Sequence, residues 1–159
     1  MEKLLALLEQ NARLTNAQLA VMTGKTEEEV AAELAKLEAD GIIHGYQALI
    51  DWEKAGRQLV EARIEIKVVP KRDMGFDEIA GIIAGFSEVS SVYLMSGGYD
   101  IGVTVIGKSF RDIAMFVAQR LAVLDSVQST ATHFVLNKYK EKGVLFMERQ
   151  KDEREVGLL

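Results

Sequence analysis

Ser96-Gly97-Gly98-Tyr99-Asp100 is the stretch of this sequence whose residue types most directly suggest ligand chemistry. Adjacent glycines admit positive φ and let backbone amides approach a carboxylate, while the Asp100 carboxylate can pair with an ammonium group. Further along, Gln128, Thr130 and Thr132 take alternate positions in a strand-like run, so alternation puts their polar groups on one side, where they can converge on one ligand. The competing reading is a plain hairpin turn in which Asp100 bonds local backbone.

A second set of polar residues, Asn16, Lys25, Thr26, Lys36 and Lys54, with Arg13 more remote, offers contacts to phosphates. Residues of these types are more often simply solvated surface. Beside them stand Glu27, Glu28 and Glu29. One glutamate can accept from a cytosine amino group, but three at a helix start also serve as capping and dipole compensation.

Enzymatic constellations are not visible. His44 and His133 are the two histidines and fall in different segments, and there is no cysteine. His133 alternates away from Thr130 and Thr132 and reads as a packing or hydrogen-bonded residue. No Ser-His-Asp set, phosphate loop or defined carboxylate pair stands out, and Gly97-Gly98 alone does not specify a nucleotide site. The expectation is a protein that is not an enzyme and holds no metal or cofactor.

The 159 residues are 48% hydrophobic and 27% charged, which gives enough apolar surface for one or two folded domains and excludes disorder as the default. The lack of cysteine suits a reducing cytoplasm. The Leu4 to Leu8 run is too short to span a membrane and no small-residue cleavage site follows, so neither secretion nor a membrane partner is expected. The net charge of −5 is uneven: residues 1–45 hold four basic against eight acidic side chains, a net −4.

The elements that must position these residues follow from periodicity. Leu4, Leu5, Leu7 and Leu8 predict a helix from Glu2 to about Gln10. Thr15 with Gln18, and Thr26 with Glu29, read as capping boxes opening helices from Asn16 to Met22 and from Thr26 to about Asp40, with Gly41 as the terminating glycine. Leu19, Ala20, Met22, Val30, Leu34 and Leu37 point inward. Two short helices around a glycine turn, preceded by an apolar helix, outline a helix-turn-helix, and Ile42 to Ile50 around Gly45 resembles a small β wing. Asp51 to Gly56 reads as a brief helical linker.

From Val60 the period changes to two. Val60 to Val68 predicts a strand ended by Pro70, Asp73 caps a helix from about Gly75 to Phe86, and Val89 to Met95 and Tyr99 to Ile106 are strands around the Ser96-Gly97-Gly98 turn. Ser109 caps a helix to about Leu124, with Phe110, Ile113, Val117, Leu121 and Leu124 inward, and Val127 to Tyr139 is the fourth strand. This β-α-β-β-α-β order is that of a ferredoxin-like sandwich, so the fold class is α+β. One sheet face is left without helices. Arg63, Tyr93, Met95, Thr130, Thr132 and Phe134 are expected there as a partner surface; Tyr93, Met95 and Phe134 could equally line a pocket for an apolar side chain. The domains are 1–50, helix-turn-helix; 51–58, linker; 59–140, αβ sandwich; and 141–159, a charged tail whose Val144-Leu145-Phe146-Met147 adds an edge strand or reaches a neighbouring subunit.

At this level the chain resembles the Lrp/AsnC (leucine-responsive, feast/famine) regulators over about residues 3 to 140. The resemblance is carried by Leu14-Thr15-Asn16-Ala17-Gln18-Leu19-Ala20, Leu37-Glu38-Ala39-Asp40-Gly41-Ile42-Ile43, Gly97-Gly98-Tyr99-Asp100 and Val127-Gln128-Ser129-Thr130-Ala131-Thr132. It implies an amino-acid-responsive transcriptional regulator. Its partners would be double-stranded DNA, an amino-acid effector and a homodimer built on the αβ domain, often assembled into tetramers or octamers. It also implies that the Ser96 to Asp100 loop and the last strand form the effector pocket between subunits. The recognition helix departs from the family pattern: Thr26 holds the cap, and Ala32 and Glu33 stand where arginines are expected. An assembly or sensing module with weakened DNA binding is therefore an alternative. The siroheme decarboxylases resemble the same layout, but this chain is sparse in the histidine and arginine a tetrapyrrole pocket needs.

Overall fold

Both threonine caps form as their sequences demand. The computed structural model describes residues 1–69 and 75–146 and divides into two units, Met1–Ile50 and Asp51–Leu159. In the first unit α1 (Glu2–Gln10), α2 (Asn16–Thr23) and α3 (Glu27–Ala39) follow one another. The Thr15 hydroxyl accepts from the Gln18 N–H at 3.2 Å while the Gln18 amide oxygen accepts from the Thr15 N–H at 2.9 Å. Thr26 and Glu29 repeat the pair at 3.2 and 2.8 Å. Each cap is worth about 1 kcal/mol. Gly24 and Gly41, at φ of 75° and 67°, end α2 and α3 in the left-handed conformation that glycine adopts without a Cβ penalty.

Leu4, Leu8, Leu19, Ala20, Val30 and Leu37 form the core of this unit, with Leu34 and Ile43 packed against it. Met22, expected inward, is 44% exposed. The expected wing strands do not pair: residues 42–50 contain no strand, and the segment is tied back by the Tyr46 hydroxyl donating to Glu38 at 2.9 Å.

In the second unit residues 52–56 form turns rather than a helix, with the Ala55 N–H reaching Asp51 O and the Arg57 N–H reaching Trp52 O. The strands are β1 (Val60–Val68), β2 (Val89–Leu94), β3 (Ile101–Gly107) and β4 (Val127–Phe134), in spatial order β2-β3-β1-β4 with every neighbouring pair antiparallel. Helix α4 (Phe76–Ala84) joins β1 to β2, and α5 (Phe110–Phe116), continued by a π-helical turn at Val117–Leu121, joins β3 to β4. This is the expected ferredoxin-like arrangement. Gly75 is the N-cap of α4; the anticipated Asp73 and the strand-ending Pro70 lie outside the described residues.

The core lies between one sheet face and the two helices: Ala62, Ile64, Ile66 and Val68 from β1, Ile101, Val103 and Val105 from β3, and Ile79, Ile83, Ile113, Phe116 and Leu121 from the helices. Fully burying one such isoleucine contributes about 1.5–3 kcal/mol. Phe110 was expected among them but is 55% exposed and packs edge-on against Phe134, ring centroids 4.8 Å apart. Phe116 takes the inward place instead. The helix widens just after it, with the Ala122 N–H bonding Val117 O across five residues, so a uniform 3.6 period does not describe this segment.

Register corrects the assignment of faces. Thr132 stands opposite Ile64, Thr130 opposite Ile66 and Phe134 opposite Ala62, so all three share the helix-covered face with those buried residues. The face without helices carries Arg63 and Tyr93 as expected, together with Glu61, Glu65, Lys67, Gly102, Thr104, Ile106, Ala131 and His133. Strand β4 stops at Phe134. Beyond it β5 (Lys140–Glu141) and β6 (Val144–Leu145) pair with each other and not with the main sheet; Met147 and the rest of the tail lie outside the described residues.

Candidate ligand and nucleic-acid sites

Asp100 is held at three points. Its N–H donates to Ile66 O at 3.0 Å, its carbonyl accepts from Met95 N–H at 2.8 Å, and its carboxylate Oδ2 accepts from the Val68 N–H at 2.9 Å. The carboxylate thus bonds backbone, as a hairpin would have it, but on β1 rather than within the turn. It satisfies a strand-end donor just beyond the last β1–β3 pair, Ile66 with Ile101. A carboxylate has about four acceptor sites, and Oδ1 retains the capacity to meet an ammonium.

The same strand end positions β4. Val68 pairs with Val127, and Lys67 pairs with Ser129, so Gln128 is an extra residue in a bulge and is exposed. The Ser96 to Asp100 loop and Gln128 therefore flank the end of β1 from its two sides. Thr130 and Thr132 face the helices and are half-buried, while Gln128, in the bulge, breaks the alternation expected to align it with them. Tyr99 goes the other way. A Cβ placed on Gly102 would meet Met95 Cγ at 3.4 Å and Tyr99 Cε2 at 3.5 Å, which puts both side chains over the helix-free face. There they line a depression of about 270 Å³ with Arg63, Glu65, Tyr93 and His133. One chain thus gathers the loop and the start of β4 at one end of the sheet, with Tyr99 and the threonines on opposite faces.

The two glycines differ in what the chain asks of them. Gly97 has φ of 150°, which L side chains rarely adopt. Gly98 has no positive φ, and a Cβ on it would meet nothing within 4 Å. Nothing among the described residues requires a glycine at position 98.

In the first unit the acidic triplet resolves into different roles. The Glu29 carboxylate is committed to the Thr26 N–H, while Glu27 and Glu28 are exposed at the first turn of α3. The Thr26 hydroxyl caps the Glu29 N–H, and Asn16 opens α2. Lys25 is paired with Glu33, which also meets the Met1 ammonium at 3.1 Å. These hydrogen bonds, from Lys25 first and then the N-terminus, hold the Glu33 carboxyl below the ordinary glutamate value. Sequence reasoning missed this link because residues eight apart do not share a helical turn. Lys36, in the last turn of α3, is exposed.

Comparison with known proteins gives this geometry its context. Residues 61–145 match the model of the Lrp/AsnC ligand binding domain, and residues 2–44 match a winged helix-turn-helix DNA-binding model. The chain belongs to the Lrp/AsnC family. Among its Lrp/AsnC relatives is the HTH-type transcriptional regulator YugG of Bacillus subtilis, 46% identical over 155 residues that cover 97% of this chain and 93% of that one. The transcriptional regulator NMB0573 of Neisseria meningitidis, solved as an L-Met complex, is 27% identical, with 87% of this chain and 89% of that chain covered and a TM-score of 0.71. The feast or famine regulatory protein Rv3291c of M. tuberculosis, complexed with L-methionine, is 26% identical, with 88% and 92% covered and a TM-score of 0.71. The fold and function expected from the Lrp/AsnC resemblance, a helix-turn-helix head with an αβ ligand-binding domain, are thereby supported. Among the described residues no helix is long and apolar enough to cross a membrane, and no group of three or more acidic or histidine side chains is placed to hold a metal.

Proposed function

We propose that this Lrp/AsnC regulator binds an amino acid at the Ser96 to Asp100 loop and adjusts its grip on DNA accordingly, as a cytoplasmic homodimer or a higher assembly of dimers. Residues 1–50 contact double-stranded DNA through Asn16, Lys25, Thr26, Glu27, Glu28 and Lys36. Residues 51–58 link them to the sensing and assembly domain, 59–140. Ser96, Gly97, Gly98, Tyr99 and Asp100 take the effector's carboxylate and ammonium, with Gln128, Thr130 and Thr132 contributing from β4. Because Tyr99 and the threonines lie on opposite faces of one chain, a complete pocket draws them from different subunits.

The observation that carries this reading is the loop itself: anchored by Asp100 on Val68, built on two glycines, and containing one, Gly98, that the packing of the described residues does not need. A ligand backbone or carboxylate approaching closely would need it. The test is a thermal-shift screen of the common amino acids, with methionine first because two structural relatives were solved with it. A ligand that binds only the folded state raises its melting temperature. A rise with at least one amino acid at millimolar concentration supports the reading, and no response to any of them overturns it.

One observation favours the second reading, a sensing module with weakened DNA binding: Glu33 occupies Lys25, one of only four basic side chains among residues 1–45. DNA binding by the full chain at low salt separates the two.

A further inference from the structure

Helix α3 turns Val30, Leu34 and Leu37 into the core of the first unit. By helical spacing the opposite side carries Glu28, Ala32, Ala35 and Ala39, and all four are exposed. The structure separates Glu28 from the other glutamates near the start of the helix. Glu29 closes the cap on the Thr26 N–H, Glu33 is paired with Lys25, and Glu27 precedes Val30 by three residues and Leu34 by seven, which sets it on their side. Among the described residues Glu28 has no hydrogen-bond or ion-pair partner. The helix contains no arginine, and its one lysine, Lys36, follows Glu28 by eight residues, about 12 Å along the axis.

In a helix-turn-helix the second helix of the motif, here α3, enters the major groove with its N-terminal residues against base edges. Guanine is most often read there by arginine or lysine on its O6 and N7 acceptors, and the outward row of α3 has no donor to offer. A carboxylate in that position needs a donor instead. The groove supplies two, the amino groups of cytosine and adenine, and adenine's stands beside its own N7 acceptor, so cytosine N4 is the better match for Glu28. Ala32 presents a bare methyl group, whose counterpart on the groove floor is the thymine 5-methyl. Ala32 lies one turn beyond Glu28, about 6 Å, and base pairs rise about 3.4 Å, so the two contacts fall one or two base pairs apart. Ala35 and Ala39 continue the row with side chains short enough to let the helix approach the bases closely.

We propose that this head reads a cytosine through Glu28 and, one or two base pairs away, a thymine methyl through Ala32, in place of an arginine-read guanine. The inference rests on the reading of residues 1–50 as the DNA-contacting unit and specifies the bases that unit selects. It is tested with the full chain by selecting, at low salt, from duplexes that carry a randomised stretch two helical turns long, using wild type, Glu28→Gln, Ala32→Gln and Lys36→Ala, each checked for folding by circular dichroism. Glutamine pairs with adenine N6 and N7, so Glu28→Gln is expected to replace the selected cytosine by adenine, and Ala32→Gln the selected thymine by adenine, each with the other position kept. Lys36→Ala should weaken binding about equally on all sequences and leave the preference intact. Replacing the selected thymine by deoxyuridine, which lacks only the methyl, should weaken wild type about three- to fourfold. A base preference that Glu28→Gln leaves unchanged, with or without tighter binding to every sequence, overturns the cytosine contact. A thymine preference unmoved by Ala32→Gln, or indifference to deoxyuridine, overturns the methyl contact. If wild type enriches no sequence and shows no binding to the starting duplexes at low salt, the DNA-contacting reading itself fails and both contacts with it.

Discussion

The Asp100 carboxylate accepts a hydrogen bond from the backbone N–H of Val68, 2.9 Å away and 32 residues earlier in the chain. It fastens the glycine loop to the end of β1. Asp100→Ala strands a half-buried amide and is expected to destabilise the second unit by about 1–3 kcal/mol. Urea unfolding measures it, and an unchanged midpoint would show that the bond has no structural weight.

The two glycines of the loop separate structure from binding. Gly97→Ala forces a side chain to φ near 150° and should cost about 1–3 kcal/mol of stability. Gly98→Ala meets open space and should leave stability within about 0.5 kcal/mol of wild type while weakening the thermal response to the effector. Paired melting curves with and without amino acid decide this, and an unweakened response in Gly98→Ala would remove Gly98 from the site.

Gly107 has a packing role no motif announced. A Cβ there would lie 2.8 Å from Ile113 Cγ1, inside contact distance, because α5 crosses close over the end of β3. Gly107→Ala should destabilise the second unit by about 1–3 kcal/mol, read as a shifted unfolding midpoint.

These contrasts show what the sequence made legible. The threonine caps were readable because each is a contact between a side chain and backbone three residues away. Alternation correctly set Thr130 and Thr132 on one side of β4 and His133 on the other, but it could not say which side faces the helices. That depends on register with β1, a relation between distant segments. The bulge at Gln128 and the π turn after Phe116 each break a period locally without any glycine or proline to mark them. Asp100 was readable from sequence as a candidate ligand residue, whereas its bond to Val68 required the fold.

Glu33 makes the first unit sensitive to acid. Its carboxyl is held below the ordinary glutamate value by Lys25 and the N-terminus, so its contribution is present at neutral pH and is lost as pH falls through that ordinary value and below it. Melting temperatures of wild type and Glu33→Gln should therefore differ at pH 7 and converge towards pH 3. A gap that stays constant over this range would mean that the ion pairs contribute nothing. The same substitution releases Lys25 and should steepen the salt dependence of DNA binding.

The central claim is that an amino acid bound at the Ser96 to Asp100 loop alters binding to DNA. Fluorescence anisotropy of the full chain on DNA from upstream of its own coding sequence, at several salt concentrations and with each amino acid in turn, tests it most directly. The account predicts binding at low salt with a shallow salt slope, and an affinity changed several-fold by the amino acid that raises the melting temperature. No binding at low salt, or an affinity indifferent to every amino acid, would contradict it.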